Sequence, residues 1–414
     1  MRRKVSSGVG MAQGALNSIT VLDLSRGLAG PFCAQIMADH GANVIKIEEP
    51  SGDQARELGP FMADDQLRAF GGYFQSVNRN KRAIVLDLKQ AGARAALERL
   101  VAKADVLLEN YRAGVMEKFG LGYEALAKIN PKLVYAAIRG YGDPRSGESP
   151  YADWPAFDVT AQAAGGFIGI TGPDAEHPSR AGPSIGDMVP GLFAGFGILS
   201  AVLEARISGR GQFLDVSMYD AIVALCERAI YRYTYTGHVS QPEGNNHPLL
   251  RPFGVFPAKD GAVSIAGGQG RLWRELCALM DQPALADDPR FAKLEDRLKN
   301  SDALSAAIGA WSRQFTKREL AAKLGGKIPF APVNSAKDIV EDPHIEARGM
   351  MATVEHPGSA QPARIVATPI HLSRTPGSVR NRAPKLGEHT KEVLGQFGFS
   401  DAEIAALLSS GAAR

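Results

Sequence analysis

The first candidate for chemistry is Asp187. It stands in SIGDMVPGLFAGFGILSAVLEARIS, residues 184–208, directly before a run nearly free of charge. Two roles are open to it. Asp is a strong helix N-cap, worth about 1 kcal/mol over Ala, and Pro190 suits a first helical turn. A helix dipole also favours an anion at that end by roughly 0.3–1 kcal/mol, which would keep the carboxylate ionised. An ionised carboxylate is a competent nucleophile toward an acyl carbon. The two roles do not exclude each other.

Other residue types group at the ends of strand-like runs. RGLAG, residues 26–30, is a Gly-rich turn, and Glu48 or Glu49 follows about twenty residues on. Such a turn can hold a phosphate on backbone N–H groups. Only Gly27 and Gly30 are present, however, so the G-x-G-x-x-G fingerprint is incomplete and a plain tight turn fits equally. Arg26, Lys89, Asn110, Arg112, Lys118 and Arg139 all fall near strand ends or in the turns after them. Scattered cations are usually solvated surface; their recurrence on one expected sheet edge favours a polyphosphate ligand. Asn110 and Tyr111 offer an amide and an aromatic face to a nucleobase. The eight histidines show no HxxxH or HExxH pair, and Cys33, Cys226 and Cys277 have no CxxC or Cys/His neighbour. A metal site is therefore not expected. No G-x-S-x-G elbow is present for a serine hydrolase.

The elements that must position these residues follow from the hydrophobic pattern. ITVLDLS, ANVIKIEEP, NKRAIVLDLK, DVLLENYR and LVYAAIRGYG are strand-like. CAQIMADHG, AGARAALERLVAKA and VMEKFGLGYEALAKINPK are helical. Strand–helix alternation of this kind predicts an α/β fold: a large, open, parallel-sheet, Rossmann-like domain. Ligands then favour the loops at the carboxyl ends of the strands. The stretch NNHPLLRPFGVFPAKDGAVSIAGGQG is rich in Pro and Gly, with helices after it, and predicts a smaller α+β domain. The expected division is 15–225 for the first part of the large domain and 235–330 for the small one. A linker covers 331–354, and 355–414 returns to the large domain.

Composition limits the alternatives. Of 414 residues, 45% are hydrophobic and 22% charged, and the formal net charge is +3. That balance gives no electrostatic case for nucleic acid or a membrane surface as partner. No stretch of about 18 apolar residues runs without charge or glycine breaks, so no membrane span is expected. Three scattered cysteines form no disulfide framework and point to a reducing cytoplasm. Residues 1–14, MRRKVSSGVGMAQG, lack the apolar core of a secretory signal and read as a loose extension.

Several stretches together resemble the family III CoA-transferases, the group that includes formyl-CoA transferase and carnitine CoA-transferase. They are VLDLSRGLAGPFCAQIMADHGANVIKIEEPSGD, NRNKRAIVLDLK, ADVLLENYRAGVMEKFGL, GDMVPGLFAGFGILSAVLEARISGRGQFLDVSMYDA and PKLGEHTKEVL. The resemblance runs from about Ile19 to Leu408. It implies that Asp187 is the nucleophile and that a coenzyme A thioester, as substrate rather than resident cofactor, lies along the strand-end loops. By motif position it implies CoA contacts at Ala29, Leu86, Lys89, Asn110, Tyr111, Lys118 and Phe119, with Arg26 near the thiol end. Formyl-CoA transferase has Gln where this chain has Leu28, and Arg where it has Glu49. The first departure weakens oxalate and formate as substrates; the second bears on one nucleotide contact.

The resemblance also implies a reaction and an assembly. Asp187 takes the acyl group from the donor, CoA returns to give an aspartyl-CoA thioester, and the acceptor acid reverses the sequence. Each step needs an oxyanion site, for which the loop AGGQG, with Gly267 and Gly268, is a candidate; a plain turn is the other reading. The implied quaternary form is an interlocked homodimer. The stretch NNHPLLRPFGVFPAKDG resembles dicarboxylate-type members, so a succinyl-CoA-like donor is expected, with Arg251 and His247 available to a distal carboxylate. An α-methylacyl-CoA racemase would share the fold, but its second acid/base falls at Phe157, whose ring cannot exchange a proton. A non-catalytic CoA-binding protein is the third reading.

Overall fold

Five largely aliphatic runs form the body of one sheet because they are buried on both faces, as parallel strands between helical layers must be, and a sixth, half-buried strand closes one edge. The computed structural model describes residues 14–414, so the expected extension at residues 1–14 lies outside it apart from Gly14. The strands are β1 (Thr20–Asp23), β2 (Asn43–Glu48), β3 (Arg82–Val85), β4 (Val106–Glu109), β5 (Val134–Arg139) and β6 (Phe213–Ser217). All neighbours are parallel and the order is β3-β2-β1-β4-β5-β6. This is a doubly wound sheet whose order reverses between β1 and β4, and ligands favour the crevice at such a switch point.

The helices that matter here are α1 (Ala29–Asp39), α2 (Gly72–Asn78), α3 (Ala91–Val101), α4 (Val115–Lys118), α5 (Tyr123–Ile129), α6 (Asp158–Ala164), α7 (Ile185–Ser208) and α8 (Met218–Leu225). The single helix expected over VMEKFGLGYEALAKINPK is two, α4 and α5. Gly120, at φ +75°, takes the left-handed conformation that ends the first.

The first compact unit reaches Phe167, resumes over Gly182–Glu227 and takes in His344–Arg414. Its core joins Leu22, Ile45, Ile84, Leu97, Leu107 and Tyr135 to Val393, Leu394 and Phe397 near the carboxyl end. The PKLGEHT stretch has a structural task there. His389 N–H donates to the Ala83 carbonyl at 2.9 Å, and His389 Nδ1 accepts the Ala83 N–H at 3.2 Å. Thr390 Oγ1 accepts the Val85 N–H at 3.3 Å. These bonds cover the free edge of β3, which would otherwise offer unpaired backbone groups to another strand.

The second unit comprises Ile168–Ala181 and Arg228–Pro343, a wider span than 235–330. Its antiparallel sheet, β7 (Phe253–Ala258), β8 (Gly261–Ala266) and β9 (Phe330–Pro332), packs Phe256, Val263 and Ile265 against Trp273, Leu276, Trp311 and Leu320.

By length and composition α7 could cross a membrane. In the first unit it packs on α1, α8, β5 and β6. Small residues make that approach possible: a Cβ on Gly191 would lie 2.7 Å from the Ala29 carbonyl oxygen. The opposite face leaves Leu192, Phe196, Leu203 and Ile207 exposed, at 53, 76, 64 and 82%.

Candidate active site

Asp187 is the third residue of α7, so it lies inside the first turn, and Ser184 holds the capping position without a side-chain bond. The capping role is therefore not what Asp187 does. Pro190 is the sixth helical residue, beyond the first turn, and leaves the Gly186 carbonyl without its usual i+4 donor. Asp187 is half-buried. Burial first, and the Asp158 charge second, raise its pKa from 3.8 to about 7. That rise corresponds to roughly 4 kcal/mol, several times the ~0.3–1 kcal/mol a helix dipole supplies. Desolvation wins, and Asp187 is partly protonated near neutrality, not held fully ionised as the dipole argument expects.

Because all six strands are parallel, the residues after them share one edge. Arg26 follows β1, Glu49 follows β2, Leu86 and Lys89 follow β3, and Asn110 and Tyr111 follow β4. Arg26 and Asn110 meet across the switch point. The Arg26 N–H donates to Asn110 Oδ1 at 3.0 Å, and Asn110 Nδ2 donates to the Arg26 carbonyl at 2.8 Å. The Arg26 guanidinium pairs with Glu49 at 2.9 Å and lies 5.2 Å from the Tyr111 ring centre. Lys89 and Lys118 are exposed, Tyr111 and Phe119 are half-buried against the core, and Ala29 is the buried first residue of α1. The Leu86 side chain is spent in the core, 1% exposed.

Buried ion pairs set the shape of this edge. Lys46 donates to Asp53 and to the Ser25 carbonyl, both at 2.9 Å. Asp53 Oδ1 in turn accepts the N–H of Gly27 at 3.2 Å, where φ is +75°. Lys81 donates to Asp23, the Pro31 carbonyl and Asn78 Oδ1 within 2.8–2.9 Å. The N–H groups of Arg26 and Gly27 are thus already bonded within the protein, which leaves the RGLAG turn a poor dinucleotide cradle.

Asp187 belongs to this neighbourhood. Gly191, one turn on, abuts Ala29, and Tyr73 of α2 feels Asp187, Asp53 and Asp158 together. Burial and those three charges hold its phenol proton on, to about 12. Tyr73 and Asp158 were not singled out from the sequence. Asp158 sits beside Phe157 in PAFDVTAQ, and the Gln four residues on was the available sign of a bonded helix-start carboxylate.

Gly267 and Gly268 belong to the second unit and are buried there. The Gly267 N–H already donates to the Pro252 carbonyl at 3.1 Å, which removes it as an oxyanion donor. A Cβ on Gly268 would lie 2.7 Å from the Arg251 carbonyl oxygen, a close approach that only glycine permits. In the same unit Arg251 donates to Ser301 Oγ at 2.7 Å, and His247 Nε2 lies 3.4 Å from Arg228. Among the described residues no three His, Cys, Asp or Glu groups gather as a metal site. A charged cavity of about 540 Å³ lies beside β3, but its Lys81, Arg82 and Arg382 are paired with Asp23, Glu392 and Glu388.

A parallel sheet with a basic, polar carboxyl edge is a nucleotide-binding architecture, and the relatives of this chain say of which kind. The chain belongs to CoA-transferase family III, whose model matches residues 16–390. It is 43% identical to a succinyl-CoA:mesaconate CoA-transferase of Haloarcula hispanica, over 93% of this chain and 97% of that protein. It is 36% identical to a succinate–glutarate CoA-transferase of Agrobacterium fabrum, over 92 and 95%. A CaiB/BaiF family protein from Brucella suis has the same fold, with TM-score 0.84 and 33% identity over 93% of this chain and all of that one. This protein is an acyl-CoA:carboxylate CoA-transferase, with a CoA thioester as substrate.

Proposed function

We propose that this enzyme moves CoA from a dicarboxylyl-CoA, succinyl-CoA first among them, to a second carboxylic acid through covalent intermediates on Asp187. The observation that carries this is the half-buried Asp187 carboxyl, with its pKa raised to about 7. A poorly solvated carboxylate is a stronger nucleophile once ionised, and it can be regenerated at the end of each cycle.

The steps balance without ATP. The ionised Asp187 oxygen attacks the donor thioester carbonyl, the C–S bond breaks, and CoA leaves as thiolate with an anhydride formed. The thiolate attacks the aspartyl carbonyl of that anhydride and expels the donor carboxylate, leaving an aspartyl-CoA thioester. The acceptor carboxylate attacks this thioester and releases CoA thiolate again. The thiolate then attacks the acceptor's acyl carbon, forms the new acyl-CoA and frees Asp187. CoA lies along the sheet edge in this reading, with Lys89 and Lys118 available to its phosphates and Arg26, Asn110 and Tyr111 around its switch-point passage.

The succinyl-CoA:mesaconate CoA-transferase of Haloarcula hispanica, at 43% identity, supports the donor; the formyl-CoA:oxalate CoA-transferase of Streptomyces avermitilis is 34% identical over 96% of this chain and 99% of that one. A homodimer completes the proposal: the exposed Leu192, Phe196, Leu203 and Ile207 face of α7 is apolar enough to need covering. A cytoplasmic location accords with three buried, unbridged cysteines. The experiment is incubation with succinyl-CoA and a panel of carboxylic acids, read by mass spectrometry. New acyl-CoA from C4 or C5 dicarboxylates is expected; acyl-CoA from none of the acids, or from monocarboxylates alone, refutes the assignment.

A further inference from the structure

The turn that carries Asp187 is braced from another helix. Asp158, the first residue of α6, accepts the backbone N–H of Gly186 on Oδ1 at 2.8 Å. The Gln162 amide donates to both Asp158 oxygens, at 3.0 and 2.9 Å, and Gln162 is fully buried. The two backbones are pressed together as well: a Cβ on Gly186 would lie 2.4 Å from the Asp158 carbonyl oxygen. Ser184 gives α7 no side-chain cap. One of the orphan N–H groups of the first turn is therefore satisfied by a carboxylate from outside the helix.

We propose that Asp158 is a positioning residue: clamped by Gln162, it fixes the first turn of α7 and so the direction in which the Asp187 carboxylate meets the thioester carbonyl. This rests on Asp187 being the group acylated. Asp158 acts through Gly186 and not by touching substrate. A turn free to shift by about an ångström misaims the nucleophile, and misplacement on that scale lowers turnover by roughly 10²-fold. The Asp158 charge has a second consequence, since it adds to burial in holding the proton on Asp187. Tyr73 of α2 is a further ionisable group that interacts with Asp187.

The test compares D158A, D158N, Q162L and D187N, with kcat and KM measured for succinyl-CoA and mesaconate across pH. D158A should lower kcat by about 10²-fold with KM unchanged. D158N should recover most of that, because its carboxamide oxygen can still accept the Gly186 N–H while Gln162 turns its amide. The acid limb of D158N should also move to lower pH, since the like charge is gone. Should D158A fail to fold, Q162L carries the test: it frees the clamp, keeps the charge, and should lower kcat without moving that limb. Wild-type kcat in folded D158A, or in folded Q162L, overturns the proposal, as does a D158N enzyme no better than D158A with an unmoved limb. D187N separates the two ideas. If D187N is inactive while D158A is undiminished, the brace alone fails; an active D187N removes the nucleophile reading and the brace with it.

Discussion

Replacing Asp187 with Asn should abolish transfer and yet stabilise the protein, with the gain growing as pH rises. The Asp187 carboxyl is raised from 3.8 to about 7, by burial first and the Asp158 charge second. The folded state therefore holds this proton more tightly than the unfolded chain does. Folding loses nothing to the group below its unfolded value, and loses progressively more as pH climbs toward the folded one. The ceiling is roughly 4 kcal/mol by about pH 8. Asp187 is partly exposed, so solvent screening reduces this to about 1–3 kcal/mol. Asn has the same shape and buries no charge. Thermal unfolding of both proteins from about pH 5 to about pH 8.5 reads the difference, at roughly 2–4 °C or less per kcal/mol in a chain of this size. D187N should melt above wild type near pH 8, with the gap narrowing toward pH 5. A gap independent of pH, or one of opposite sign, refutes the claim that Asp187 is a desolvated carboxylate.

Two further outcomes follow from the same structure. In the free enzyme kcat/KM should fall on the acid side of about pH 7, to about a tenth of its plateau one unit lower, because only ionised Asp187 attacks; a profile flat down to pH 5.5 would exclude it as the titrating nucleophile. His389 has its pKa lowered, chiefly by burial, and its Nδ1 accepts the Ala83 N–H. The folded state binds this proton less readily than the unfolded chain, so the contribution is full above about pH 6.5 and is lost as pH falls. His389→Ala should therefore cost most stability near pH 8 and converge on wild type in acid, with faster amide exchange at Ala83; a penalty that grows in acid contradicts the edge-strand role.

Most of the sheet was legible in the sequence because parallel strands buried on both faces leave continuous runs such as VLLE and VYAAIR, and β1 to β5 each lie within an expected run; β6, the half-buried FLDVS, has no such run and was missed. Placing Arg26, Lys89 and Asn110 on one edge followed from that alone. The split between α4 and α5 was missed because a glycine's backbone angle is invisible in a helical pattern. Buried pairs such as Lys81–Asp23, 58 residues apart, leave no local trace either. The misplacement of Asp187 at the cap, and of its proton, has one cause. Propensity arguments describe an isolated helix, whereas the depth of burial and the Asp158 carboxylate come from packing between α6 and α7.

Chemical capture during turnover tests the central claim most directly. Hydroxylamine added while succinyl-CoA and mesaconate are being consumed should convert the acylated side chain to a hydroxamate, and peptide mapping should place that change on Asp187 only when donor is present. An unmodified Asp187 in enzyme that continues to transfer CoA would contradict the account.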